Sequence, residues 1–340
     1  MNLILEKQSL PELLQSWRES YDVFLPQKLE RFSHFMPLQD DTAVLLNEPH
    51  NTRVPPKALF LPMTETLVKF TRFGGYQDAD HEVQPRVVFA IRPCDAQAVQ
   101  LLDTSFVQED YTDPLWKEKR EKTVTVGLGC HEPCLTGFCT TVGGGPFNKA
   151  GLDALLTDLG DSYLVEVLTD KGNWLFPSLQ HADDSAIERG HKIQQEAFDR
   201  MEVAFETEHL KEKLEQNFSS PYWDTVSQSC LGCGVCTFLC PTCFCFDIVD
   251  ETQRRERVRN WDSCMFRTYS LEASGHNPRP SRVERTRQRL SHKFVYWIDQ
   301  VNQIGCTGCG RCVRYCPVGL DIRAMLRQAQ TLPFEVNHAA

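Results

Sequence analysis

Two short segments of the chain repeat one arrangement of sulfur: Cys230–Pro241 reads CLGCGVCTFLCP and Cys306–Pro317 reads CTGCGRCVRYCP. Each has the form C-x2-C-x2-C-x3-C-P. The x2 spacings let three thiolates wrap one corner of a cubane, while the fourth cysteine begins a helical stretch that carries it away. In two-cluster ferredoxins that fourth cysteine ligates the other cluster. The pattern therefore assigns Cys230, Cys233, Cys236 and Cys316 to one [4Fe-4S] cluster, and Cys306, Cys309, Cys312 and Cys240 to a second. Gly232, Gly234, Gly308 and Gly310 permit the tight turns and leave backbone N–H groups free to face the sulfurs. Zinc is the alternative, because four thiolates also suit it. Zinc ribbons, however, pair C-x2-C units across a long gap and do not repeat three cysteines followed by C-P.

A second group lies upstream. Cys94 follows the apolar run Val87–Ile91 (VVFAI), and Cys130 follows Thr123–Leu128 (TVTVGL). If these runs are parallel strands, both cysteines emerge at one carboxyl edge of the sheet, where α/β folds place their ligands. Cys134 and Cys139 follow in CHEPCLTGFC, so four thiolates converge on a third candidate [4Fe-4S] site. Ordinary buried cysteines are the plainer reading, and zinc, with His131 in place of one thiolate, is another. Three cysteines remain, Cys243, Cys245 and Cys264. They are too few for a four-thiolate site, and close packing beside a cluster is the modest expectation.

The elements that must position these residues follow from pattern. Continuous apolar strands with the helical Asp95–Asp103 between them predict a strand–helix–strand unit and a partly parallel sheet. Residues 9–21 read as a short helix with Pro11 near its start. Gly143–Pro146 is a loop, and Ser162–Leu168 with Trp174–Phe176 suggests a β-hairpin. The expected class is α+β: an N-terminal α/β domain over 1–182 and a helical linker over 183–220. A mainly helical, two-cluster ferredoxin-like domain then fills 221–340. About sixty-five residues separate the two motifs, and between Arg254 and Lys293 there are eleven Lys or Arg against four acidic residues. That run either offsets the clusters and docks an acidic partner or forms a solvated helical face.

The 340 residues carry a net charge of −10, which argues against a general nucleic-acid binder. No stretch of 18 apolar residues suggests a membrane span, and the first residues lack the pattern of an export signal. Fifteen cysteines, odd in number and closely spaced, then point to a reducing, cytoplasmic setting and to metal ligation. No G-x-G-x-x-G follows a strand: Gly127-Leu128-Gly129 runs straight into Cys130. A P-loop and H-E-x-x-H are missing too. The expectation is a chain that moves electrons and has no catalytic residues of its own.

The segments VVFAIRPCDAQAVQLLD, GCHEPCLTGFCTTVGGGPF, CLGCGVCTFLCPTCFCFDIVDE, RNWDSCMF and CTGCGRCVRYCPVGLDIR together resemble the beta subunit of cytoplasmic nickel–iron hydrogenases, the sulfhydrogenases. The A subunit of anaerobic sulfite reductase belongs to the same wider group. The resemblance covers roughly residues 50–325. It implies an iron–sulfur subunit that relays electrons between a flavin-bearing, NAD(P)H-binding subunit and a second redox enzyme of hydrogenase, sulfite reductase or heterodisulfide-reductase type. The nickel-centre cysteine pairs of a hydrogenase large subunit are not seen. A second reading makes Cys243, Cys245 and Cys264 redox-active thiols of a reductase active site. A metal-stapled, nucleic-acid-binding protein is a third.

Overall fold

The computed structural model describes residues 1–335 apart from 31, 41–45, 47–50, 73 and 80–81. The chain forms two compact units. The first comprises Met1–Pro62, Asp80–Glu202 and Thr307–Cys309, and the second Met63–Ala79, Val203–Cys306 and Gly310–Ala340.

The first unit is built on an eight-stranded mixed sheet. Its centre is parallel: Asp22–Leu29, Arg86–Ile91, Thr123–Leu128 and Ala154–Asp158 lie side by side in that order. All six residues of Arg86–Ile91 and all six of Thr123–Leu128 are buried. Strands covered on both faces need apolar residues at every position rather than at alternate ones, which is the pattern of VVFAI and TVTVGL. The helix Pro93–Phe106 connects the two strands, followed by Pro114–Glu121. Leu5, Trp17, Phe89, Val126 and Val165 belong to the core on one face. Trp17 meets Phe89 edge-on at 5.8 Å and donates its indole N–H to the Leu175 carbonyl at 2.9 Å.

Three local expectations change. Ser162–Val167 pairs with Ala154–Asp158 and with Asn2–Glu6, not with 174–176. Residues Asp170–Trp174 instead form a helical turn, capped by the Thr169 hydroxyl accepting from Gly172 N–H at 3.3 Å. The helix Asp184–Asp199, expected in a linker, belongs to the first unit. Its Gly190 lies so close to Leu164 that an added Cβ would sit 2.4 Å from that side chain, and Gln194 donates to Thr157 and Glu166. Dense charge on the outer face masks this contact in the sequence.

The second unit combines short helices with a four-stranded antiparallel sheet ordered Phe246–Glu251, Glu256–Trp261, Thr64–Phe70, Tyr76–Asp78. Arg259 and Glu65, 4% and 5% exposed, form a buried ion pair across this sheet. One helical rod runs through the basic segment. Arg282–Ser291 is α-helical, His292–Tyr296 has π-helical spacing, and Trp297–Val301 is α-helical again. Ser281 and Glu284 close a capping box at its start. Among the described residues no helix is long and apolar enough to cross a membrane.

Candidate iron–sulfur centres

In the second unit the C-x2-C-x2-C turn is set by glycines. Gly232 and Gly234 have φ of 69° and 76°, a region that favours glycine, and Gly234 opens the short helix Val235–Phe238. Cys240 follows that turn of helix. Gly310, at φ 74°, likewise opens Arg311–Arg314, and Cys316 follows. The consequence is spatial: Cys230, Cys233, Cys236 and Cys316 line one cavity. Cys312 also reaches its wall, and Met265, Leu290, Ile322 and Met325 supply an apolar surround. Gly232 N–H points at Cys230 Sγ at 3.4 Å, and Leu320 N–H at Cys316 Sγ at 3.3 Å. Such N–H···S contacts favour the ionised sulfur that a metal requires.

Positive charge comes from the basic helix. Arg285, Arg289 and Lys293 recur every four residues, hence on one face, and are 7%, 6% and 2% exposed. Arg289 donates to the Cys236 carbonyl at 3.0 Å, and Arg282 to the Cys230 carbonyl at 2.7 Å. Lys293 donates to Thr242 Oγ1 at 2.7 Å and to the Gly305 carbonyl at 2.9 Å. Burial works against the Arg289 charge, yet the Cys236, Cys312 and Cys243 sulfurs hold its guanidinium charged beyond the ordinary arginine range. The same balance, with Cys240, Cys243 and Cys306, keeps Lys293 charged. Burial pushes the Cys236 thiol up to about 11, with Arg289 opposing. The hydrogen bond from Cys243 takes Cys240 well below its usual value against burial, with help from Lys293 and Arg289. Of the two expectations for the basic run, the solvated face fails for these three positions. Arg287, stacked 3.7 Å over Phe218, is the outward-facing member.

In the first unit the sheet edge gathers its cysteines as the parallel-strand reading requires. Register between Arg86–Ile91 and Thr123–Leu128 shifts between Phe89 and Ile91, and Ala90 has φ 59°. A bulge of this kind re-aims the chain as it leaves the sheet. Pro93 then starts the helix, so Cys94 sits in a first helical turn whose free N–H groups favour a thiolate. The Arg92 guanidinium donates to the Gly129 carbonyl at 2.9 Å, tying together the exits of the two strands. Cys130 N–H bonds Pro146 O at 2.9 Å, and Gly144 N–H bonds Cys139 O at 2.8 Å. Cys94, Cys130, Cys134 and Cys139 line one cavity with Asn51. Asn51 Nδ2 lies 3.8 Å from Cys94 Sγ. Burial pushes Cys130 up to about 11, Arg92 opposing, and Cys139 up to about 12, Cys130 adding to it. Thiols held protonated in this way would have to release protons to bind a metal.

Cys309 lies in this first unit and lines the same cavity, its carbonyl accepting from Asn51 Nδ2 at 2.9 Å. The Gly308 carbonyl accepts from Phe138 N–H at 2.8 Å. Gly308 has φ 62°, and a Cβ there would fall 2.5 Å from the Phe138 backbone. Gly308→Ala should therefore destabilise the protein by ~2 kcal/mol or more, because backbone rather than a pliable side chain must move. A lowered midpoint in anaerobic thermal unfolding measures it, and an unchanged midpoint contradicts the close approach.

Sequence reasoning named the cysteines and the basic run as a whole, but did not single out Arg285, Arg289 and Lys293 within it and missed Asn51. The four-residue spacing of Arg285, Arg289 and Lys293 was the available signal, hidden among eight other basic residues in the run. Among the described residues, no three His, Cys, Asp or Glu groups are placed to share a single ion. The cysteines ring cavities instead. Soft thiol donors, N–H groups aimed at sulfur and buried cations make a donor set that fits anionic iron–sulfur clusters.

A family model described as a 4Fe-4S dicluster domain matches residues 229–320. The sulfhydrogenase 2 subunit beta of Pyrococcus furiosus is 32% identical over 280 residues, covering 79% of this chain and 81% of the relative. No solved structure matches the chain significantly. With thiol-lined cavities, a matching dicluster domain and similarity over most of both chains, the protein belongs to the family of sulfhydrogenase beta subunits, iron–sulfur proteins of the 4Fe-4S dicluster type.

Proposed function

We propose that the chain is the electron-relay subunit of a multisubunit oxidoreductase, carrying electrons between a flavin-bearing, NAD(P)H-binding subunit and a hydrogenase or reductase subunit. The observation that carries this reading is the gathering of Cys230, Cys233, Cys236 and Cys316 around one cavity beside Arg289. Those four residues are the proposed ligands of one [4Fe-4S] cluster. Assignment of Cys306, Cys309, Cys312 and Cys240 to the second rests on the motif form. A third is proposed for Cys94, Cys130, Cys134 and Cys139, on the strength of their common cavity and the first-turn position of Cys94.

When bound, such clusters store and pass single electrons with little change in shape. The residues around them do the rest. Thiolates hold the metal, backbone N–H groups and the Asn51 amide stabilise sulfur charge, and Arg289 and Lys293 offset the net negative charge in a medium that screens poorly. The apolar wall formed by Met265, Ile322 and Met325 excludes water.

The isolated, cluster-loaded chain is expected to show no NAD(P)H oxidation with viologen dyes, whereas the complex recovered from native cells should show it. Turnover by the isolated chain, free of flavoprotein, would mean that it holds a cofactor site of its own. Co-purification of a flavoprotein and a hydrogenase or reductase subunit tests the partner assignment.

A further inference from the structure

Three cysteines are left outside these ligand sets, and the fold gathers them. Residues 242–245 leave the first motif through a turn and enter the strand Phe246–Glu251. That strand pairs with Glu256–Trp261, Phe246 opposite Trp261. The ladder is extended by one bond beyond the hairpin, with Asp262 N–H donating to the Cys245 carbonyl at 2.9 Å. A hairpin in this register delivers Cys264 to Cys245, and the two thiols are in hydrogen-bond contact. Cys243, one turn after Cys240, completes the group.

The three sulfurs border a cavity of about 350 Å³, a volume at the lower end of the ligand-pocket range. Its remaining wall carries Arg279, Arg289, Lys293 and His292. Arg289 is 6% exposed, and among the described residues its Nε has no hydrogen-bond partner. Arg289 and Lys293 also face the Cys236 and Cys240 side, but three cations on one cavity wall, with the Arg289 Nε–H unused, favour an anionic occupant over three neutral thiols. A disulfide would need two cysteines and would likewise be neutral. A single ion is disfavoured because the sulfurs ring the space rather than meet at a point. An anionic group large enough to span all three satisfies both the sulfurs and the cations.

We propose that Cys243, Cys245 and Cys264 hold a further iron–sulfur cluster through three protein thiolates, its fourth iron lacking a cysteine and open to a small anionic or thiol ligand. Arg279 and His292 line the same cavity. The site is independent of the N-terminal assignment, so the two stand or fall separately.

The test uses the full chain purified anaerobically, with cyanide as the probe. In the unaltered protein, whose other proposed clusters carry a protein thiolate on every iron, cyanide should shift one component of the reduced electron paramagnetic resonance spectrum. A cluster whose four irons each carry a protein thiolate offers it no position. The double variant Cys245→Ser, Cys264→Ser should lose that component and about four irons while the remaining signals persist. If the double variant does not fold, the cyanide response of the unaltered protein decides the matter. An unaltered protein whose spectrum ignores cyanide overturns the proposal, as does a variant that keeps full iron, or a Cys245–Cys264 disulfide found by mass spectrometry in the anaerobic protein.

Discussion

Replacing Cys130 with alanine should remove about four irons per chain and leave the signals of the C-terminal clusters unchanged. The size of the effect follows from how the site is built. Cys130 sits at the exit of a central parallel strand, its N–H fixed by Pro146 O and the preceding Gly129 carbonyl held by Arg92. Cys309, which also lines the cavity, is assigned to a C-terminal cluster and so is not free to replace the lost sulfur. Cys306→Ala is the contrast, because it damages a C-terminal cluster and should spare the N-terminal signal. Independent losses in the two variants are the expected result. Full iron and an unaltered spectrum in Cys130→Ala would remove the N-terminal cluster from the account, and loss of zinc instead would make the site structural. Iron analysis and paramagnetic resonance on anaerobic protein decide among these.

Arg289→Met should lower the midpoint potential of the cluster beside it. The guanidinium is buried, donates to the Cys236 carbonyl and reaches the cavity lined by Cys230, Cys233, Cys236 and Cys316. Adding an electron makes a cluster more negative, so removing a nearby positive charge disfavours reduction. One charge about 6 Å away at an effective dielectric of about 20 is worth about 3 kcal/mol, or about 130 mV for one electron. Methionine keeps much of the side chain's length and apolar body, so iron content should survive. Arg287→Met removes an equal charge that lies over Phe218 on the exposed side of the same helix, and its effect should be small. Redox titrations of both variants provide the measurement. Equal potentials in Arg289→Met and the unaltered protein, with iron retained, would show that this arginine has only a packing role.

Much of the sulfur chemistry was legible because ligand spacing is local. The C-x2-C-x2-C-x3-C-P repeats and the exits of two continuous apolar strands can each be recognised within a dozen residues. What was not legible depends on partners far away in sequence. Thr64–Phe70 joins the second unit by pairing with Glu256–Trp261, a match made by two polar, mixed strands with no local signature. The hairpin that presents Cys245 and Cys264 was overlooked for a related reason. Its residues (FDIVDE and ERVRNW) carry so much charge that the alternation is easily read as part of a basic helical run. Cys309 falls in the N-terminal cavity although its motif spacing groups it elsewhere, since spacing records neighbours along the chain and not across the fold.

The cavity that joins Cys316 to Cys230 has a bearing on how the protein is made. More than eighty residues separate these two cysteines, and Cys316 stands near the end of the chain. At ordinary synthesis rates of about 5–20 residues per second, the last wall of the site trails the first by roughly 4–17 s, plus the time to clear the ribosome. For that interval Cys230, Cys233 and Cys236 are exposed to oxidants and to competing metals. A link across a loop of this length restricts the unfolded chain by about 4–5 kcal/mol. Cluster insertion at the proposed site therefore waits for Cys316 to be made and fastens the second unit shut as it occurs. A ribosome stalled before Cys306 should carry a nascent chain that cannot keep the iron of the C-terminal pair of clusters.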